Sequence, residues 1–217
     1  MLRQPFVVAV DGPAAAGKGT LAKRLADEIG LPYLDTGLLY RAVARRMLDA
    51  SEDPAHTSGL KQAEWLSPED LLRSDLRVPE VDRAASLVAR QPEVRHALVG
   101  VQRRFADERG AVLDGRDIGT VIFPDALVKL YVTASPAARA LRRYLQTGGD
   151  TTRPGWEEEL REIETSIRAR DEADSARETA PLRMAEDAVM IVTDDMDANA
   201  VLAEAVRIVK DRLAAAD

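Results

Sequence analysis

Phe6-Val7-Val8-Ala9-Val10 is an unbroken apolar run near the start of the chain. Such a run predicts a strand buried on both faces, the habit of parallel sheets. The period then changes. Leu21, Leu25 and Ile29 recur every four residues, which predicts a helix from about Lys18 to Ile29, stopped by Gly30. A short strand is predicted near Tyr33-Leu34-Asp35. A helix follows to about Ala50, with Asp35 and Thr36 as capping candidates.

Residues 51–80 are rich in Ser, Pro and acidic side chains, and no strand pattern appears there. Ser67-Pro68-Glu69-Asp70 reads as a helix start, and Pro79 and Pro92 open two more helices. In the last of these, Val94, Leu98, Val101 and Phe105 form an apolar stripe. Strands are predicted again at Ala111–Asp114, Leu127–Thr133 and Val189–Val192, with helices after Ser135, from about Trp156 and from about Ala198. Leu202, Val206, Val209 and Leu213 are the expected inner face of the last helix. About five strands alternating with helices make the fold class α/β with a central parallel sheet. The helical block before Ala111 reads as an insertion at the carboxyl edge of the sheet, where ligands bind in this architecture.

Two stretches interrupt the pattern in an informative way. Residues 148–155, Gly-Gly-Asp-Thr-Thr-Arg-Pro-Gly, are polar and flexible and read as a small lid between two helices. In the helix after them, Leu160, Ile163 and Ile167 predict a buried stripe, and the same spacing continues through Arg170, Asp174 and Arg177. Charge on a solvated helix normally lies opposite the apolar stripe. Charge that continues the stripe predicts a face that leaves the core and enters a polar cleft. The plainer reading is a helix that projects past the domain, with Arg170 and Asp174 paired one turn apart.

The chemistry starts at Gly12-Pro13-Ala14-Ala15-Ala16-Gly17-Lys18-Gly19-Thr20. Glycine, four residues, glycine and lysine between a strand and a helix is the pattern of a phosphate-cradling loop. The helix N-terminus behind it offers unpaired N–H groups, and Lys18 offers a mobile positive charge. The residue after the lysine is Gly19, with the hydroxyl one place later at Thr20. That ending is the form seen in nucleoside monophosphate kinases. A second loop, Gly115-Arg116-Asp117-Ile118-Gly119-Thr120, sits at the predicted carboxyl end of another strand and reads as an active-site loop.

Composition narrows the choice. The chain has 30 basic and 37 acidic residues, a net charge of −7, and no cysteine. An acidic chain is a poor general binder of nucleic acid or anionic membrane. Disulfides, zinc-thiolate sites and cysteine nucleophiles are excluded. The two histidines, His56 and His96, show no metal-ligand spacing and read as solvated. The N-terminal apolar run is too short for a signal peptide or a membrane span, so a cytoplasmic location is expected; the chain is also expected to be a monomer. A GTPase needs an Asn-Lys-x-Asp segment, and the only asparagine is Asn199, followed by alanine.

Arg41, Arg95, Arg116, Arg139, Arg142, Arg143, Arg153, Arg170 and Arg177 all fall in or near these segments. One triphosphate does not need so many guanidinium groups; two phosphorylated ligands meeting head to head do. Two readings stay open on the residues alone: a nucleoside monophosphate kinase, its base unspecified, and a nucleotide-binding regulator with no acceptor.

The chain resembles the bacterial cytidylate kinases over nearly its whole length. The shared motifs are residues 10–20, Asp-Thr-Gly-Leu-Leu-Tyr-Arg at 35–41, Asp-Gly-Arg-Asp-Ile-Gly-Thr-Val-Ile-Phe-Pro at 114–124, and Arg-Asp-Glu-Ala-Asp-Ser-Ala-Arg at 170–177 with the Ala-Pro-Leu after it. The resemblance implies Mg²⁺-assisted transfer of the ATP γ-phosphate to CMP or dCMP, in pyrimidine nucleotide metabolism. It implies one P-loop kinase domain over 1–217, with a monophosphate-binding insert at about 41–105 and a lid at about 145–156. By position, Thr36, Arg41, Arg116 and Arg170 match residues close to the acceptor and its phosphate. Ser86, Arg95 and Asp117 match cytosine readers, and Asp174 and Arg177 match sugar and phosphate contacts. Residues 12–20, Arg139 and Arg143 match the ATP side. Lys18, Arg116, Arg143, Arg170 and Arg177 are the implied catalytic set, with Thr20 and Asp114 on the Mg²⁺ side. Two departures stand out: the insert lacks the β-rich hairpin of longer members, and position 36 is Thr where Ser is common.

Overall fold

A computed structural model describes residues 5–216. Its strands are β1 (Val7–Asp11), β2 (Tyr33–Asp35), β3 (Ala111–Gly115), β4 (Val128–Thr133) and β5 (Val189–Val192). The sheet order is β2-β3-β1-β4-β5. β1 pairs in parallel with β3 and β4, and β4 pairs in parallel with β5. The central place of β1 explains its composition, since Val8, Ala9 and Val10 are fully buried. The α-helices are α1 (Lys18–Ile29), α2 (Thr36–Asp49), α3 (Leu60–Glu64), α4 (Pro79–Val88), α5 (Pro92–Ala106), α6 (Pro136–Gln146), α7 (Trp156–Ser175) and α8 (Ala198–Ala216).

The chain forms two compact units. The larger comprises the chain up to Tyr33 and from Arg109 onward; the smaller is Leu34–Glu108. In the larger, β1, β3 and β4 pack on α1 and α8 through Val8, Val10, Leu25, Val112, Leu130, Ala205 and Ile208. In the smaller, α2, α4 and α5 share a core of Leu39, Val43, Met47, Val81, Val88, Val94 and Leu98. No β-hairpin is present among its described residues. No described helix is long and apolar enough to cross a membrane.

Several local expectations are corrected. The buried row of α8 is Val201, Ala205, Ile208 and Val209, while Leu202, Val206 and Leu213 flank it half-buried. The small Ala205 lets that row approach the sheet, so size rather than bulk sets the phase. In α5 the buried residues are Val94, Leu98, Gln102 and Ala106 at four-residue spacing, with Arg95 beside them, and Phe105 is 39 % exposed. Gln102 is tolerated there because its amide donates to the Leu98 carbonyl at 3.1 Å. Leu160 and Ile163 on α7 are half-buried, and Ile167 is the one buried residue of that helix. Residues 68–72 form a 3₁₀ turn, with Asp70 accepting from the Ser67 N–H at 2.9 Å. Asp35 does not cap α2; its carboxylate accepts from Arg77 at 2.7 Å. α3 had no sequence signal.

Candidate active site

The phosphate loop runs from the end of β1 into α1. Gly12 has φ 149°, and a Cβ there would lie 2.0 Å from the Val132 carbonyl oxygen, so β4 leaves room for glycine alone. Gly17 precedes α1 in the left-handed region at φ 87°. Ala15 holds φ 60°, an uncommon conformation for a residue with a Cβ, and strain of this kind clusters at ligand clamps. Lys18 is buried. The loop thus places a helix N-terminus and one ammonium group together, which suits a polyphosphate.

Gly19 has a reason of its own. A Cβ at this position would lie 2.9 Å from Oδ2 of Asp114, the buried carboxylate near the end of β3. The same oxygen accepts from the Tyr33 hydroxyl at 3.3 Å. The departure from the commoner lysine–hydroxyl ending therefore lets a carboxylate stand against the start of α1. Thr20 is exposed. No cluster of three or more acidic or His side chains suited to a metal occurs among the described residues. A Mg²⁺ ion needs no such cluster, because it is commonly held by one or two carboxylates, substrate phosphates and water. Asp114 is a hard oxygen donor in the right place for that, so the residues fit.

The arginine cluster forms around Asp174 on α7. Arg116, from the loop after β3, donates through Nε to Asp174 Oδ2 at 3.0 Å. Arg177 donates through Nε to the Asp174 carbonyl at 3.1 Å and brings Nη2 within 3.7 Å of Oδ1. Burial pushes the Asp174 carboxyl up, yet the guanidinium groups of Arg116, Arg177 and Arg170 outweigh it and hold its pKa below the ordinary value. Arg116, Arg170, Asp174 and Arg177 are thus gathered at one place. Arg177 lies just past the end of α7 and stays in reach because the chain turns back, with Leu182 N–H donating to the Asp174 carbonyl at 2.9 Å.

Arg139 on α6 is 3 % exposed. It donates to the Ala134 carbonyl at 3.0 Å and to the Ala14 carbonyl at 3.1 Å, and pairs with Asp171 on α7 at 2.6 Å. It braces the phosphate loop from α6 and ties α7 to the same point. Arg143 is exposed on α6. Arg142 bonds Thr193, and Arg153 pairs with Glu159 at the start of α7.

In the smaller unit Thr36 and Arg95 are buried, and Arg41 and Ser86 are half-buried. Arg41 donates through Nε to Asp82 Oδ1 at 2.8 Å. The Ser86 hydroxyl donates to the Asp82 carbonyl at 3.1 Å. Arg95 donates to the Ala89 carbonyl at 3.2 Å and lies 5.4 Å from the Tyr40 ring centre, a cation–π distance. Asp82 joins two of the expected acceptor residues.

Sequence reasoning missed Asp11, Tyr131, Asp82 and Asp171. Asp11, 5 % exposed, accepts from the Ile118 N–H at 2.8 Å and the Gly119 N–H at 2.7 Å. Burial pushes its pKa up to about 7; the two amide bonds and Lys18 oppose the rise, and buried Asp117 adds to it. Tyr131 pairs with Asp11 across β1 and β4. Burial raises its phenol pKa, as do the charges of Asp171 and Asp11, against Arg116 and Arg139. The carboxylate before the phosphate loop was the one available signal: an acid ending an apolar strand needs a partner.

A family profile for cytidylate kinase matches residues 8–211. The chain belongs to the cytidylate kinase family. It is 55 % identical to a cytidylate kinase of Acidiphilium cryptum over 98 % of this chain and 99 % of that one. It is 56 % identical to a cytidylate kinase of Granulibacter bethesdensis over 94 % and 97 %. The fold is also that of TT1252 from Thermus thermophilus, with TM-score 0.51 at 21 % identity over 97 % of this chain and 99 % of that one. This family member therefore has a P-loop α/β core and is a phosphotransferase that uses ATP.

Proposed function

We propose that the chain transfers the γ-phosphate of ATP to CMP or dCMP, giving ADP and CDP or dCDP. Family membership supports the reaction. The gathering of Arg116, Arg170 and Arg177 on Asp174 is the observation that supports the residue roles.

In this reading residues 12–20 hold the ATP phosphates, with Arg139 bracing the loop and Arg143 reaching the same ligand. Arg41, Arg116, Arg170 and Arg177 meet the acceptor phosphate. An oxygen of that phosphate attacks the γ-phosphorus, the bond to the bridging β,γ-oxygen breaks, and the electron pair leaves on ADP. An acceptor phosphate is already ionised near neutral pH, so no strong general base is needed; alignment and charge neutralisation do the work. Lys18 follows the γ-phosphoryl group. Asp114, with Thr20, stands where Mg²⁺ bound to the phosphates would be held, and the ion would neutralise their developing charge.

Asp117 accepts from the cytosine amino group, which uracil lacks, and Ser86 and Arg95 supply further polar contacts. Thr36 and Asp174 complete the acceptor contacts, Asp174 at the sugar. Residues 41–105 serve acceptor binding and 145–156 act as a lid. The products belong to pyrimidine nucleotide metabolism, and the enzyme works in the cytoplasm as a monomer, without nucleic acid or membrane.

A coupled ADP-release assay with MgATP tests this. CMP and dCMP should be the fastest of the four monophosphates CMP, dCMP, UMP and AMP. No rate above a water blank with CMP and dCMP refutes it, and faster turnover of UMP or AMP selects the neighbouring kinase reading. Calorimetry without heat on adding CMP selects a nucleotide-binding regulator.

A further inference from the structure

Asp11 is the last residue of β1, and the phosphate loop begins at the next position. Its two carboxylate oxygens are taken by two consecutive amides, Ile118 at 2.8 Å and Gly119 at 2.7 Å. These amides open a π-helical turn, Ile118–Ile122. Ile122 N–H donates to the Asp117 carbonyl at 3.2 Å and Phe123 N–H to the Ile118 carbonyl at 2.7 Å, both five residues back. Such turns are rare and are frequent at functional sites. Arg116 and Asp117 stand directly before it. A Cβ at Gly119 would lie 3.4 Å from Asp11 Oδ2 and 3.1 Å from the Lys129 side chain, so the contact has little slack.

We propose that Asp11 is a positioning residue for acceptor recognition: its carboxylate locks Ile118 and Gly119 to the root of the phosphate loop and thereby fixes Arg116 and Asp117 relative to the phosphoryl group being transferred. The proposal rests on the reading that Arg116 and Asp117 contact the acceptor. A carboxylate is the side chain that does this best. Both its oxygens accept, whereas an asparagine would turn one N–H toward an amide N–H. An apolar replacement would leave two buried amides without a partner. A buried carboxylate is costly, and the cost makes sense if the position of the loop matters to the reaction.

The test compares wild type, Asp11→Asn, Gly119→Ala and Asp117→Ala for kcat and KM with ATP, CMP and UMP, together with melting temperature. Assayed at pH 8, above the range in which Asp11 ionises, Asp11→Asn should lower kcat/KM for CMP by about 10- to 100-fold, as loss of a charge-assisted bond would. It should narrow the CMP-over-UMP preference, as Asp117→Ala does, and leave the KM for ATP unchanged. Gly119→Ala keeps the charge and places a methyl against the Lys129 side chain at 3.1 Å and Asp11 Oδ2 at 3.4 Å, so it crowds the amide that Asp11 holds and should show the same pattern more weakly; it carries the test if Asp11→Asn does not fold. Hydrogen exchange gives a readout apart from activity: the Ile118 and Gly119 amides should be slow in wild type and fast in Asp11→Asn or Gly119→Ala. Equal losses with CMP and UMP, tracking a lowered melting temperature, overturn the proposal. A clear effect of Asp117→Ala beside a silent Asp11→Asn overturns it alone. A silent Asp117→Ala removes the acceptor reading, and this proposal falls with it.

Discussion

Asp11 and Asp174 are both largely buried carboxylates of the larger unit, and they are stabilised in opposite ways. Asp11 is met by two backbone N–H groups, and its pKa rises to about 7 because those dipoles do not overcome burial. Asp174 is met by guanidinium groups, and its pKa falls below the ordinary value because full charges do overcome it. The first environment is a fixed shape made of backbone, continuous with a loop whose glycines leave no choice of conformation. The second is a set of guanidinium charges around one carboxylate, with Arg116 bonded to it and Arg177 and Arg170 beside it. Phosphoryl transfer draws on both kinds of environment, preorganised backbone donors and guanidinium charges, to neutralise phosphate oxygens.

The largest expected effect is on the rigid side. Lys18→Met removes the ammonium group beside Asp11 and should lower kcat by about 1,000-fold, the scale of losing a preorganised charge contact to a transition state. A residual rate near that of wild type would mean that loop amides alone neutralise the phosphate, and the comparison would lose its first half. Next, Arg116→Ala and Arg177→Ala should each lower kcat/KM for CMP by about 100-fold, with KM for ATP little changed. Combining either with Asp174→Ala should cost less than the sum of the separate losses, since the arginines and Asp174 act as one unit. Strict additivity in that double-mutant cycle would show that Asp174 does not hold the cluster.

The two sides also differ in how readable they were from residues alone. The phosphate loop, α1 and the five strands are local patterns, and chain position sufficed to find them. Arg170 and Asp174 were legible because they continue one helical stripe, although Leu160 and Ile163 in that stripe are half-buried rather than core; Arg177 lies beyond the helix, and the turn that returns it to Asp174 was not encoded in the spacing. Arg139 was read as a group for ATP; its bonds to Ala14, Ala134 and Asp171 depend on pairings more than thirty residues apart for two of the three partners, which no spacing encodes. Asp11 was hidden for the same reason, since its partners lie 107 and 108 positions away. The phase of α8 was misread because Ala205 is a weak hydrophobic signal yet fully buried.

The remaining effect concerns stability against pH, and it separates the two carboxylates by sign. The folded chain keeps a proton on Asp11 up to about pH 7, whereas an unfolded chain releases it near 3.8. Between those values the native state binds more protons, so stability from this group falls as pH rises. Asp11→Asn removes the titration, and its stability relative to wild type should therefore increase from pH 4 to pH 8. Asp174 behaves in the reverse sense. Its folded pKa lies below 3.8, so the unfolded chain binds the proton first as pH falls, and the stabilisation present near neutrality is lost below about pH 4. Asp174→Asn should gain on wild type only in that acid range and show no relative change between pH 5 and pH 8. Chemical denaturation of the three proteins at each pH measures both slopes. Parallel curves for the two variants would mean that burial, rather than the kind of partner, sets both carboxylates, and the contrast between a seat of amides and a seat of guanidinium groups would have no energetic content.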